Sequence, residues 1–236
     1  MALSLQSNAA PQSVAIAHYH IYKNAGSSVD FALRRTFGPD AVLELDRADE
    51  TRDSKAFNLP LVEKLVQASP DLKAFSCHRF VSTIHRSESI TVLPIVFLRH
   101  PLLRVASVYR FERIRSDNHP NSDKARNLDF PEWLAWYVET KNGRNFQTCM
   151  LSIGENGCHS PYTVDRAHLG DIRQAAARLD EIRSITAVGI VEAFDASARR
   201  FEAAICPWFP DFRLAATQNN VTKTVGDWQA ELETLE

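Results

Sequence analysis

Short runs of β-forming apolar residues alternate with segments of helical period along most of this chain, and that alternation restricts the fold more than any other feature. The first run, "VAIAHYHI" (14–21), is apolar enough for a buried strand. After a small-residue turn, Val29, Ala32, Leu33, Thr36 and Phe37 fall on one helical face, and Gly38-Pro39 stops that helix. "AVLEL" (41–45) reads as a second strand, "LPLVEKLVQAS" (59–69) as a helix ended by Pro70, and "LKAFSCH" (72–78) as a strand. "SITVLPIVFLR" (89–99) contains the most apolar strand of the chain.

Pro101 then opens a helix where its missing N–H costs nothing, with Leu102, Val105, Ala106 and Tyr109 on the buried face. "SDNHPNSDKARN" (116–127) is polar and contains Pro, and it reads as a mobile loop. "FPEWLAWYV" (130–138) begins another helix, in which Trp133, Trp136 and Tyr137 are core residues rather than a sugar platform. A long helix (164–182), a strand (184–192) and a helix (195–205) follow, while residues 1–13 read as a loose tail. Strands alternating with helices predict a mostly parallel sheet covered on both faces. Ligands of such sheets sit at the carboxyl ends of the strands.

The chain has 236 residues, 44% apolar and 24% charged, which suits one α/β domain spanning 1–236. A formal charge of -2 argues against a dedicated nucleic-acid surface. No window approaches the roughly 18 apolar residues of a membrane span, and the N-terminus does not read as a signal peptide. Cys77, Cys149, Cys158 and Cys206 lack zinc-type spacing, and reduced thiols in a cytoplasmic protein are the expectation. The sequon at Asn220 is then irrelevant to glycosylation.

Two stretches carry chemistry. In "HYHIYKNAGSS" (18–28) a predicted strand runs into a turn in which Ala25 and Gly26 let the backbone approach an anion. Ser27 and Ser28 add hydroxyls, and Lys23 adds a full charge. The Lys precedes the Gly, so this is not the G-x-x-x-x-G-K-[ST] loop of nucleoside triphosphate binding. An ordinary strand-to-helix turn capped by Ser explains the same residues. In "VFLRHPLLRVASVYRF" (96–111), Arg99 ends a strand and Ser107 lies about two turns into the next helix. An Arg there suits a bidentate grip on phosphate, and an Arg in a surface ion pair is the plainer alternative. Of the two arginines, Arg104 reads as the surface residue. Arg110, Arg113 and Arg115 read as a solvated face or as contacts for an anionic acceptor.

Together, "HIYKNAGSS" and "FLRHPLLRVASVY" resemble the H-I-P-K-x-G-G-T-S phosphosulfate loop and the R-x-P-x-x-R-x-x-S-x-Y helix of sulfotransferases that use 3′-phosphoadenosine 5′-phosphosulfate. The resemblance is closest to the carbohydrate enzymes related to heparan sulfate 2-O-sulfotransferase. It continues more weakly through 75–80, 145–151, 187–201 and 219–223. It implies an α/β fold with a P-loop-NTPase-like parallel sheet, helices on both faces, and no metal requirement. By carry-over, Lys23, Asn24, Ala25, Gly26, Ser27 and Ser28 hold the 5′-phosphosulfate, and Arg99 and Ser107 hold the 3′-phosphate. The expected acceptor is a saccharide hydroxyl.

Tyr22 stands where the family usually has Pro, which leaves the loop backbone freer. In the family a His-Gly-His stretch supplies the base; here "SCH" keeps one His, so His78 is the expected base, with Lys23 as the second catalytic residue and His85 in reserve. Cys77 points to the opposite face from His78 and is no partner for it. A P-loop small-molecule kinase and a non-catalytic nucleotide- or glycan-binding protein of the same fold remain as alternatives.

Overall fold

A computed structural model describes residues 13–45, 59–78, 89–116, 119–140, 144–152, 169–214 and 233. Five strands form one parallel sheet: β1 (Ser13–Tyr19), β2 (Val42–Glu44), β3 (Ala74–Cys77), β4 (Ile90–Leu98) and β5 (Ala187–Ile190). Their order is β2-β3-β1-β4-β5. The first strand of the chain is therefore the central one, pairing His18 with Ser76 on β3 and with Ile95 on β4.

The side chains of β1 alternate between two cores, as the period of two in a strand requires. Ala15, Ala17 and Tyr19 join Phe75, Cys77, Val92 and Val96 on one face. Against them pack α2 (Leu59–Ala68), α6 (Phe146–Ser152) and α7 (Leu169–Ile185), through Val62, Val66, Phe146, Met150 and Ile182. Ile16 joins Leu93, Ile95 and Phe97 on the other face, covered by α1 (Gly26–Phe37) and α8 (Phe194–Ile205). The α/β fold with helices on both faces, expected from the alternation, is the observed one.

A third cluster forms where α3 (Pro101–Ile114) meets α4 (Pro120–Asn127) and α5 (Phe130–Tyr137). Trp133 is fully buried there and stacks on Tyr137 at 4.4 Å, so these aromatics are core residues. Asp129 caps α5 in a capping box with Glu132.

Three expectations need correcting. Residues 120–127 are helix rather than loop: Pro120 sits at the first turn, and only Ser122 and Ala125 face inward, so the apolar signal was nearly nil. The Ser122 hydroxyl holds this helix by donating to Glu112 Oε2 at 2.6 Å. Arg104 is not on the surface. It is 3% exposed, lies 4.8 Å over the Phe146 ring and hydrogen-bonds Tyr137. The strand expected over 184–192 is shorter, because α7 runs on to Ile185 and a 3-10 turn takes Val191–Ala193.

At Gly189 a Cβ would lie 2.6 Å from the Phe97 ring and 2.9 Å from Phe201, both buried and immobile. Gly189→Ala should therefore lower stability by about 1–3 kcal/mol, read from the urea midpoint, by overpacking the β4–β5–α8 junction.

Candidate functional site

The β1–α1 turn lies at the carboxyl edge of the central strand. Lys23 (φ 66°) and Ala25 (φ 63°) both adopt the left-handed region, on either side of Asn24. Each costs about 1–3 kcal/mol without glycine, so the turn persists only because its surroundings hold it. Such alternation gathers N–H groups into an anion-binding concavity. Because α1 starts at Gly26, the Gly26 and Ser27 amides are among the donors a helix leaves without intrahelical partners. The Ser28 amide donates to Ala25 O at 3.0 Å. Ser27 is exposed and Ser28 half-buried.

Asn24 is the inner post of the turn. It is buried, its backbone N–H donates to Ile21 O at 3.0 Å, and its Nδ2 donates to Phe97 O at 2.8 Å and Gln147 Oε1 at 2.6 Å. Gln147 in turn accepts from Arg99 N at 2.9 Å and donates to Arg99 O at 2.8 Å. One glutamine on α6 thus ties the loop to the end of β4. Tyr22 supplies the outer post, donating to Glu112 Oε1 at 3.3 Å and packing edge-on against Phe111 at 5.9 Å. Burial and the neighbouring Glu112 push the Tyr22 hydroxyl well above its usual pKa. The loop lacks the rigid ring of Pro at this position and is anchored by a side chain instead.

Arg99 is brought to the loop, as its place at a strand end predicts. Its Nη1 donates to Lys23 O at 3.3 Å, and its Nε lies 3.5 Å from Glu192 Oε1. Lys23 Nζ sits 4.3 Å over the Phe111 ring. Burial, then the like charges of Arg99 and Arg110, lower the Lys23 pKa. Lys23 and Arg99 thus meet at the carboxyl edge of the sheet, with Arg110 acting on Lys23 from α3 and Glu112 opposing it. Ser107 is half-buried within α3.

His78, half-buried at the end of β3, donates from Nδ1 to the carbonyl of His20, which leaves Nε2 as its basic nitrogen. Cys77 belongs to the core on the opposite face. The reserve candidate His85, Cys158 and the stretch 219–223 lie outside the described residues.

A second polar group escaped sequence reasoning. Asp30, buried on the second turn of α1, accepts from His18 Nδ1 at 2.7 Å, the Ser76 hydroxyl at 2.6 Å and His20 Nδ1 at 3.2 Å. His18 is fully buried, whereas the His20 side chain is 20% exposed. The His20 ring lies 5.0 Å from that of His18 and 4.0 Å from that of His78. His18, His20 and Asp30 offer ligand atoms within 4.8 Å of one another, but these atoms bond each other directly, which makes the cluster a hydrogen-bond network. The signal available in sequence was H-x-H at a strand end with Asp ten residues beyond, too loose a pattern to name the pairing.

Fold and site together define an α/β protein with a five-stranded parallel sheet, whose first strand-to-helix turn lies at the carboxyl edge of the central strand. No protein-family model matches the chain. It is 30% identical over 216 residues to an uncharacterized protein of Archaeoglobus fulgidus (strain ATCC 49558), covering 88% of this chain and 79% of that one. The chain belongs to the same family as this archaeal relative.

Burial raises the Asp30 carboxyl, but hydrogen bonds and charge from His18 and His20 outweigh it and hold the group below the usual carboxylate range. A group depressed in this way contributes stability above its unfolded pKa of about 4, and loses it as pH falls toward the folded value. Asp30→Asn should accordingly cost about 3 kcal/mol at pH 7, with the gap from wild type narrowing below about pH 4 in denaturant titrations.

Proposed function

We propose that this protein is a sulfotransferase that moves a sulfuryl group from 3′-phosphoadenosine 5′-phosphosulfate to a hydroxyl of a saccharide. The observation that carries the reading is the meeting of the Lys23–Ser28 loop with Arg99, whose guanidinium bonds the loop carbonyl of Lys23 across 76 positions of sequence. The like charges of Arg99 and Arg110 on Lys23, offset only in part by Glu112, favour a multiply charged anion as ligand. The loop order, with Lys before Gly, favours this donor over a nucleoside triphosphate with magnesium.

In this reading the Gly26 and Ser27 amides, the Ser27 and Ser28 hydroxyls and Lys23 take the 5′ end of the donor. Arg99 and Ser107 take the 3′-phosphate, and Asn24 and Ala25 shape the loop. The acceptor oxygen attacks sulfur in line, and the bond from sulfur to the bridging phosphate oxygen breaks. His78 Nε2 takes the hydroxyl proton, and 3′-phosphoadenosine 5′-phosphate leaves with its 5′-phosphate facing Lys23. No helix among the described residues is long and apolar enough to cross a membrane. With its thiols read as reduced, we place the protein in the cytoplasm.

3′-Phosphoadenosine 5′-phosphate should raise the melting temperature far more than ATP with magnesium, adding about 2.7 kcal/mol at a hundred times its Kd. Arg99→Ala should abolish most of that shift. Equal stabilisation by ATP would instead favour a small-molecule kinase. Donor binding without turnover of any offered acceptor or of water would point to a non-catalytic binding protein.

His78→Ala should keep bisphosphate affinity within a few-fold while slowing single-turnover sulfuryl transfer about a hundredfold or more. Lys23→Ala should lower affinity and rate together, because its charge meets the phosphate before and during transfer. A folded His78→Ala variant with wild-type rates would remove His78 from the mechanism.

A further inference from the structure

The imidazole of His20 is placed by two constraints that the proposed mechanism leaves unused. Its Nδ1 donates to Asp30 Oδ2 at 3.2 Å, on a carboxylate that is itself buried. Asp30 Oδ1 is already filled by His18 and Ser76, so Oδ2 is the oxygen turned to His20. The far side of the ring rests on the first residue of α1: a Cβ built on Gly26 would fall 1.8 Å from His20 Nε2 and 2.1 Å from Cδ2. Nε2 therefore lies against Gly26, the first residue of the helix whose N-terminal amides the sulfuryl-transfer reading assigns to the donor. His18 shares the carboxylate but is sealed in the core; His20, at the open end of the strand, is the member that can meet a ligand.

A carboxylate on Nδ1 fixes the tautomer of an imidazole and stabilises its protonated form. Among the described residues, the titratable groups in contact with His20 include Asp30 from α1, His18 from β1 and His78 just past β3. Among these Asp30 supplies the only carboxylate, and it is the group in direct contact that favours the imidazolium.

We propose that His20 is a second catalytic residue of this site, the acid that faces the leaving phosphate, held in place by Asp30. The proposal rests on the sulfuryl-transfer reading. As the sulfur–oxygen bond breaks, its electron pair passes to the phosphate oxygen, and the Nε2 proton of the His20 imidazolium is donated to that oxygen. His78 takes the proton of the attacking hydroxyl on the other side of the reaction, so one proton enters and one leaves the imidazole pair in each turnover. Solvent exchange at the partly exposed rings restores both.

The test has a binding arm and a kinetic arm. In protein labelled with 15N-histidine, neutral His20 should carry its proton on Nδ1. Addition of 3′-phosphoadenosine 5′-phosphate should move both the loop amides and the His20 Nε2 resonance. Loop amides that shift while His20 stays still, or a neutral His20 protonated on Nε2, overturn the His20 assignment alone. Loop amides that ignore the bisphosphate overturn the sulfuryl-transfer reading, and this proposal with it.

For the kinetic arm, hydrolysis of 3′-phosphoadenosine 5′-phosphosulfate, with water as acceptor, needs no identified saccharide. Wild type should give a bell-shaped rate profile against pH. His20→Gln should slow the reaction about a hundredfold and lose the alkaline limb, whereas His78→Gln should lose the acidic limb. An alkaline limb that survives in His20→Gln overturns the proposal, and the spectra of the wild-type protein decide the matter if that variant does not fold.

Discussion

The Asp30 carboxylate is the constraint on which the geometry of the site depends. A charge buried on the second turn of α1 is tolerable only when donors surround it, and these come from His18 on β1, His20 just past the end of β1, and Ser76 on β3. Meeting all three at once leaves little freedom for the helix to slide or rotate against the sheet. The N-terminus of α1, and with it the Gly26 and Ser27 amides, is thereby fixed relative to the strand ends. His20 also occupies the space above Gly26, which explains why the first helical residue carries no side chain.

The opposite side of the loop is fixed by different chemistry. Gln147 bridges Asn24 and the backbone of Arg99, while Glu112 receives Tyr22, Ser122 and Arg115. Two strained residues, Lys23 and Ala25, lie between these anchors. A rigid concavity of this kind meets a charged ligand without the entropic cost of ordering a loop at the moment of binding. The same anchors bring Arg99 and Lys23 close enough that their charges oppose each other before any ligand arrives.

Much of this was legible in the sequence, for physical reasons that can be named. Apolar runs separated by helical periods specified the parallel sheet, because only strands buried on both faces read that way. Lys23 and Arg99 were recognisable as strand-end residues, and strand ends converge in such a sheet. What escaped has a common cause. His18, His20 and Asp30 are paired by tertiary packing that local pattern does not encode. Gln147 sits on a helix of seven residues, too short to show a period. Arg104 looked like a surface residue because burial of an Arg depends on an aromatic neighbour, Phe146, more than forty positions away. The polar helix at 120–127 shows the reverse failure: its composition says loop, while Glu112 supplies the partner that makes it a helix against the core.

The central place of β1 has a consequence for the order in which the protein is assembled. Its two neighbours in the sheet, Ala74–Cys77 and Ile90–Leu98, are synthesised after it, and the glutamine that latches the loop comes later still, at position 147. The loop is thus synthesised before Phe97, Glu112 and Gln147, three of the groups that hold it in shape. A segment made before its partners is completed only after them. Until β4 and α6 emerge, the apolar segment 14–21 has no sheet to join and must be kept from other partners by brevity and speed of synthesis, or by chaperones.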